Sequence, residues 1–308
     1  MRILITGGTG MVGTAFENIE TDHKLITFGS QTYNLLREQD VCDMIYRSHP
    51  DAIIHLAAKV GGVKGNTDYV ADFFYENSLI NLNLLNTAKN YKIKKVVSLL
   101  STCVYPDDTV YPLKPRNIHS GEPHSSNFGY AYAKRMLDVH SRAINKQYGY
   151  KYITAIPNNL YGINDNFDLE NGHVIPAIIR KIWEAKTFGK EVVLWGSGMP
   201  LREFTYSVDI ARILLKLVEN IDDVVGPINI GKTGEYTIKG VVQTICEIFD
   251  YDFAKIRWDQ SKPEGQWRKP SSNDILRYMY PDFEYTKLRK GLEITCNWFK
   301  KEYPNVRM

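Results

Sequence analysis

The sequence predicts a doubly wound α/β fold, in which a parallel sheet is covered by helices on both faces and followed by a smaller α/β body. Three observations carry that prediction. Short runs that are apolar at nearly every position alternate with longer stretches of helical periodicity through the first half. A glycine-rich turn follows the first of these runs directly. Beyond about Tyr161 the loops lengthen and fill with Asn, Asp, Gly and Pro.

Taken in order, Arg2 to Thr6 reads as the first strand, with a helix from about Met11. Lys24 to Phe28, Ala52 to Ala57, Lys95 to Leu100 and Tyr152 to Ile156 read as four more. Phe73 to Asn90 and Phe128 to Lys146 have helical spacing. In the second half, helices are expected near Val174 to Ala185, Ile210 to Glu219 and Gly240 to Phe249. Short strands are expected at Glu191 to Leu194, Pro227 to Ile230 and Lys255 to Trp258. The division expected is residues 1–160 as a nucleotide-binding domain and 161–308 as a substrate domain. A segment near 203–232 is expected to return to the first.

Composition excludes several classes. With 38 basic against 35 acidic residues the net charge is +3, which gives no clustered excess for a nucleic-acid or membrane-surface partner. No apolar run approaches the roughly 20 residues that span a bilayer, and the first residues lack a signal-peptide pattern. Cys42, Cys103, Cys246 and Cys296 are widely spaced with no metal-ligand pattern, so a reduced, cytoplasmic protein without a structural metal is expected.

The glycine turn is Gly7-Gly8-Thr9-Gly10-Met11-Val12-Gly13. Placed between a strand and a helix, this spacing suits a dinucleotide and marks a Rossmann domain. Gly7 allows the tight turn, Gly10 lets the backbone approach a pyrophosphate, and Gly13 lets helix and strand pack closely. After the second strand, Phe28-Gly29-Ser30 carries no carboxylate to repel a 2′-phosphate, which favours NADP(H), with Ser30 as a donor. Asn34, Leu35 and Leu36 are expected beside the adenine, and Leu56, Ala57 and Ala58 under the ribose.

Tyr130 and Lys134 stand four apart in a helical stretch and so share a face. A tyrosine titrates near pH ~10, and a neighbouring ammonium is expected to bring it toward neutrality. Ser101 ends the fourth strand, where an open α/β sheet places its reacting groups. It can hydrogen-bond a substrate carbonyl while Tyr130 protonates it. Asn158 and Asn159 are expected beside the nicotinamide.

Together these residues resemble the extended short-chain dehydrogenase/reductase superfamily, with its Ser-Tyr-Lys triad. His55 to Gly62, Ser101 to Pro106, Asn127 to Lys134, Pro157 to Gly162, Asp165 to Phe167, His173 to Ala177 and Trp195 to Phe204 narrow the resemblance. They are similar to the GDP-L-fucose synthase family, and the similarity runs from residue 1 to Thr295 through Phe299.

That resemblance implies an oxidoreductase that is also an isomerase, a 3,5-epimerase and NADPH-dependent 4-reductase acting on GDP-4-dehydro-6-deoxy-D-mannose. It implies Cys103 as the base and His173 as the acid of epimerisation. Protons on C3 and C5 are acidic because they flank the C4 ketone. By the same match Pro157 to Leu160 and His173 border the cofactor, and Lys181, Trp195 and Arg202 contact the GDP moiety. Glu264 is expected at guanine, and a homodimer through the helix of Tyr130 and the helix from Asp72. Thr9 and Ser30 stand where some members carry basic residues.

Two other readings share these motifs. An enzyme acting on another GDP-4-keto sugar, such as a heptose, would keep fold and triad. A non-enzymatic dinucleotide sensor would be expected to lack the tyrosine or lysine, and both are present.

Overall fold

The computed structural model describes residues 1–262 and 265–308, with residues 63 and 64 described by their backbone alone. The first half runs β1 (Arg2–Thr6), α1 (Met11–Ala15), β2 (Lys24–Phe28), α2 (Glu38–Ser48), β3 (Ala52–His55) and α3 (Val63–Asp68). It continues with α4 (Val70–Asn90), β4 (Lys95–Leu99), α5 (Phe128–Tyr148) and β5 (Lys151–Ile156). Next come β6 (Asn159–Tyr161), α6 (Val174–Phe188), β7 (Val192–Trp195), β8 (Leu201–Tyr206) and α7 (Ser207–Glu219). Last are β9 (Ile228–Asn229), β10 (Glu235–Thr237), α8 (Ile238–Phe249), β11 (Ile256–Asp259), α9 (Asp274–Met279) and α10 (Leu288–Glu302).

Six parallel strands form the main sheet in the order β2-β1-β3-β4-β5-β9. Its central strands β1, β3, β4 and β5 are largely apolar on both faces because both faces are covered. Ile3 and Ile5 point to the layer containing α1 and α7, while Leu4 points to the layer of α2, α4 and α5. Successive side chains of a strand alternate between faces, so both must be hydrophobic. The α4 and α5 helices pack tightly: a Cβ at Gly129 would lie 2.3 Å from the Val70 carbonyl oxygen.

The chain runs from β1 to β2 on one side and returns past β1 to β3 on the other, so the order reverses between β1 and β3. That switch point opens a crevice at the carboxyl ends of the strands.

The second core is separate. It gathers Ile175, Ile178, Ile179 and Ile182 of α6 with Val241, Val242 and Ile245 of α8 and Leu292, Cys296 and Phe299 of α10. Two small sheets, β10-β8-β6 and β11-β7, line it. Residues 207–230 leave this body: Ile210, Ile213, Leu214 and Leu217 of α7 pack on the main sheet, and β9 pairs with β5. Among the described residues, no helix is long and apolar enough to cross a membrane.

Candidate active site

A cleft of about 710 Å³ opens at the carboxyl ends of β1, β3, β4 and β5. Its floor is the glycine loop. Gly7 has φ +70°, a left-handed conformation that favours glycine. A Cβ at Gly13 would lie 2.4 Å from the Gly7 oxygen and 2.5 Å from Gly8 Cα, so only hydrogen fits where α1 meets the loop. Both constraints shape a cradle of backbone N–H groups of the kind that receives a dinucleotide pyrophosphate. Thr9, Gly10, Met11, Val12 and Gly13 line it. Gly8 does not; its N–H donates to the Phe28 carbonyl at 2.8 Å and ties the loop to β2.

The rest of the cleft follows the length of a dinucleotide. Ser30, Asn34, Leu35 and Leu36 line one end, joined by Tyr33, which no local pattern singles out. Leu56, Ala57 and Ala58 form the middle. Ser101, Tyr130, Pro157, Asn158, Asn159, Leu160 and His173 line the other end. Beneath the middle, His55 is buried, with Nδ1 2.8 Å from Thr6 Oγ1 and Nε2 3.0 Å from Asn81 Oδ1. Burial first, then the nearby Lys134 charge, pushes its pKa down to about 3, so the ring is neutral.

Tyr130 and Lys134 do share a face of α5. The Lys134 Nζ lies 5.8 Å from the centre of the Tyr130 ring and donates to the Leu99 carbonyl at 2.8 Å. Lys134 is buried and lies behind the cleft wall rather than on it. Burial lowers its pKa to about 8. The structure corrects one expectation here: the Tyr130 phenol is held above its ordinary value, by burial and then by Cys103. Desolvation of a buried phenolate outweighs the help of an ammonium that is itself desolvated and bonded elsewhere.

Cys103 lies one short turn past Ser101, and its N–H donates to Ser101 Oγ at 3.4 Å. It is half-buried and stands outside the dinucleotide cleft, on the side toward Lys269. Burial raises its thiol; Ser101, Lys269 and Lys134 pull it back. His173 caps the start of α6 and lines the cleft, its imidazole lowered by burial and then by Arg307. Lys269 went unread in the sequence because nothing local distinguishes it from its neighbour Arg268.

The expected GDP contacts lie in the second body and do not line the cleft. Lys181 reaches across from α6 to donate to the Val193 carbonyl at 2.9 Å, two residues before Trp195. The Trp195 indole is 63% exposed, with Lys262 Nζ 5.9 Å from its centre. Arg202, on β8, donates to its neighbour's carbonyl at 2.8 Å, and a Cβ at Gly265 would lie 3.5 Å from its Nη2. Arg202 and Gly265 are therefore neighbours. Glu264 lies outside the described residues.

Glu203, also unread in the sequence, is buried beside Arg202. Its carboxylate accepts from Ser271 Oγ at 2.5 Å, Ser271 N–H at 3.1 Å and Asn158 Nδ2 at 3.3 Å. It thereby links the cofactor-side Asn158 to the chain two residues past Lys269. Among the described residues no three His, Cys, Asp or Glu side chains group as metal ligands.

The model of the NAD dependent epimerase/dehydratase family matches residues 3–231. A GDP-L-fucose synthase of Dictyostelium discoideum is 39% identical over 99% of this chain and 97% of its own. The chain belongs to this family, in its GDP-L-fucose synthase branch. A solved structure of a GDP-L-fucose synthetase from Naegleria fowleri bound to NADP superposes with a TM-score of 0.93. It shares 37% identity over 99% of this chain and 94% of that one. A GDP-6-OMe-4-keto-L-xylo-heptose reductase from C. jejuni shares the fold at TM-score 0.87, with 26% identity over 97% of each chain.

Proposed function

We infer that this chain is a bifunctional enzyme that converts GDP-4-dehydro-6-deoxy-D-mannose to GDP-L-fucose by 3,5-epimerisation and NADPH-dependent 4-reduction. The observation that carries the reading is the convergence of two sets of groups at one end of the cleft. Ser101 and Tyr130 line that end with Lys134 behind its wall, a set that suits carbonyl reduction; His173 lines it as well, and Cys103 lies just outside it, one short turn past Ser101. A reductase that did not epimerise would have no use for the second set.

Bound at the glycine loop, NADPH supplies the hydride that reduces C4. The protein does the rest. Cys103, as thiolate, takes the proton α to the ketone, and His173 returns one to the opposite face; repeating this at C3 and C5 inverts both centres. Ser101 and Tyr130 donate to the C4 oxygen, which becomes the enolate oxygen when a C–H proton leaves. When C4 is reduced, Tyr130 gives its proton to that oxygen. The raised phenol suits a donor that stays protonated until then. Lys134 compensates the phenolate left behind.

The main-sheet body is the cofactor domain in this reading, and the second core with Lys181, Trp195 and Arg202 receives GDP. An apolar exposed stripe on α4 and α5, including Phe74, Tyr75, Leu82, Phe128 and Val139, is the face for a homodimer. A cytoplasmic site of action completes the proposal.

The test is to incubate the pure protein with NADPH and GDP-4-dehydro-6-deoxy-D-mannose and identify the sugar. GDP-L-fucose is the expected product. A C4-reduced sugar with C3 and C5 uninverted would make the chain a simple reductase. Turnover of a GDP-4-keto-heptose in preference to the deoxyhexose would favour the second reading.

A further inference from the structure

The segment after α10 returns to the dinucleotide cleft. There the Arg307 carbonyl accepts from the Phe167 N–H at 2.9 Å, which holds residue 307 against the loop before α6. Its side chain lines the cleft with Asp165, Asn166, Asn171 and His173. Among the described residues the exposed Arg307 guanidinium has no hydrogen-bond or ion-pair partner. The other long cation on the cleft wall, Lys59, is committed to Glu76 at 2.5 Å. Asp165 is 5% exposed; its Oδ1 accepts from the Asn166 N–H at 2.7 Å, while its buried Oδ2 has no partner. A buried carboxyl in that condition favours a cation beside it. Burial raises it to about 7, and the Arg307 charge draws it back.

We propose that Arg307 binds the diphosphate of the dinucleotide, with the Asp165 carboxyl near enough to feel its charge. The inference rests on the cofactor reading above. Two anionic groups of NADP(H) are available to a guanidinium. The 2′-phosphate belongs at the Ser30 end, whereas Arg307 shares its wall with His173 and Asn171, away from that end. That wall meets the segment after β3, where the Gly62 N–H donates to the Asn171 carbonyl at 3.0 Å. That segment continues from Ala57, which borders the glycine loop where a dinucleotide diphosphate lies: a Cβ at Gly7 would lie 2.9 Å from the Ala57 nitrogen. A planar guanidinium fork matches phosphate oxygens, and it complements the backbone N–H groups of a glycine loop that leads into a helix of only five residues.

The test measures binding by titration calorimetry, comparing wild type with Arg307→Met and Arg307→Lys. Arg307→Met should weaken NADPH about tenfold and flatten its salt dependence, and Arg307→Lys should recover part of the loss. 2′-Phospho-ADP-ribose, which has the diphosphate without the nicotinamide, should weaken equally. Adenosine 2′-monophosphate, which carries the 2′-phosphate and no 5′-phosphate, should bind both variants as it binds wild type. Unchanged NADPH affinity in Arg307→Met overturns the proposal. So does a loss confined to NADPH, which would place Arg307 at the nicotinamide, or one confined to GDP, which would place it at the sugar nucleotide. Failure of wild type to bind NADPH would instead overturn the cofactor reading itself.

Discussion

The Lys134 ammonium lies 5.8 Å from the centre of the Tyr130 ring and bonds to the Leu99 carbonyl at the end of β4. The lysine is thus anchored to the strand that delivers Ser101, and one helical turn fixes the tyrosine above it. Three groups from two elements are held as a unit.

Removing the phenol oxygen tests that unit. Tyr130→Phe should lower the rate of reduction by about 10²–10⁴ while leaving NADPH affinity unchanged, since the ring still fills its place. Stopped-flow NADPH oxidation and a binding titration check both halves. Full reductive activity would remove Tyr130 as the donor.

Lys134 sets an alkaline limit. Below about pH 8 it is charged and can compensate a tyrosinate; above that value it loses its proton. The kcat/KM for reduction should therefore fall with rising pH through an apparent pKa near 8 in the free enzyme. Lys134→Arg, which stays charged, should move that limb upward in whatever activity remains. A flat profile from pH 7 to about 9 contradicts the role.

Cys103→Ser separates the two chemistries. Exchange of the C3 and C5 protons with solvent should slow by at least about 100-fold, with NADPH binding retained because Cys103 is outside the cofactor cleft. Proton exchange at the wild-type rate would place the base elsewhere.

Gly13→Ala probes the cradle. The added Cβ meets backbone at 2.4 Å, so loop or α1 must shift. NADPH binding should be lost or weakened by more than about tenfold, and the melting temperature lowered. Wild-type affinity in this variant would mean that the cofactor sits elsewhere.

The central strands β1, β3, β4 and β5 were legible because they are buried on both faces and largely hydrophobic; the edge strand β2, with Lys24 and Thr27 exposed, was legible from its Leu25, Ile26 and Phe28. The α2 helix was not: Glu38 to Ser48 is largely polar, and only Val41, Met44 and Ile45 are core. The three-stranded β10-β8-β6 sheet was missed because two of its strands are three residues long. Within the site, the glycine loop and the Tyr130–Lys134 spacing are local patterns and were read directly. Arg307 and Lys269 come from distant segments and carry no local signal, while Asp165 and Glu203 lie within strings that narrowed the resemblance but did not show their buried roles. The raised Tyr130 phenol was misjudged because burial is a tertiary property, and no spacing along a helix reports it.

The central claim is that one site both epimerises and reduces. The measurement that meets it most directly is turnover of GDP-4-dehydro-6-deoxy-D-mannose with NADPH in heavy water, with the product read by NMR. GDP-L-fucose with deuterium at both C3 and C5 is the predicted result. NADPH oxidation yielding a sugar unlabelled at those carbons would contradict it, and with it the roles of Cys103 and His173.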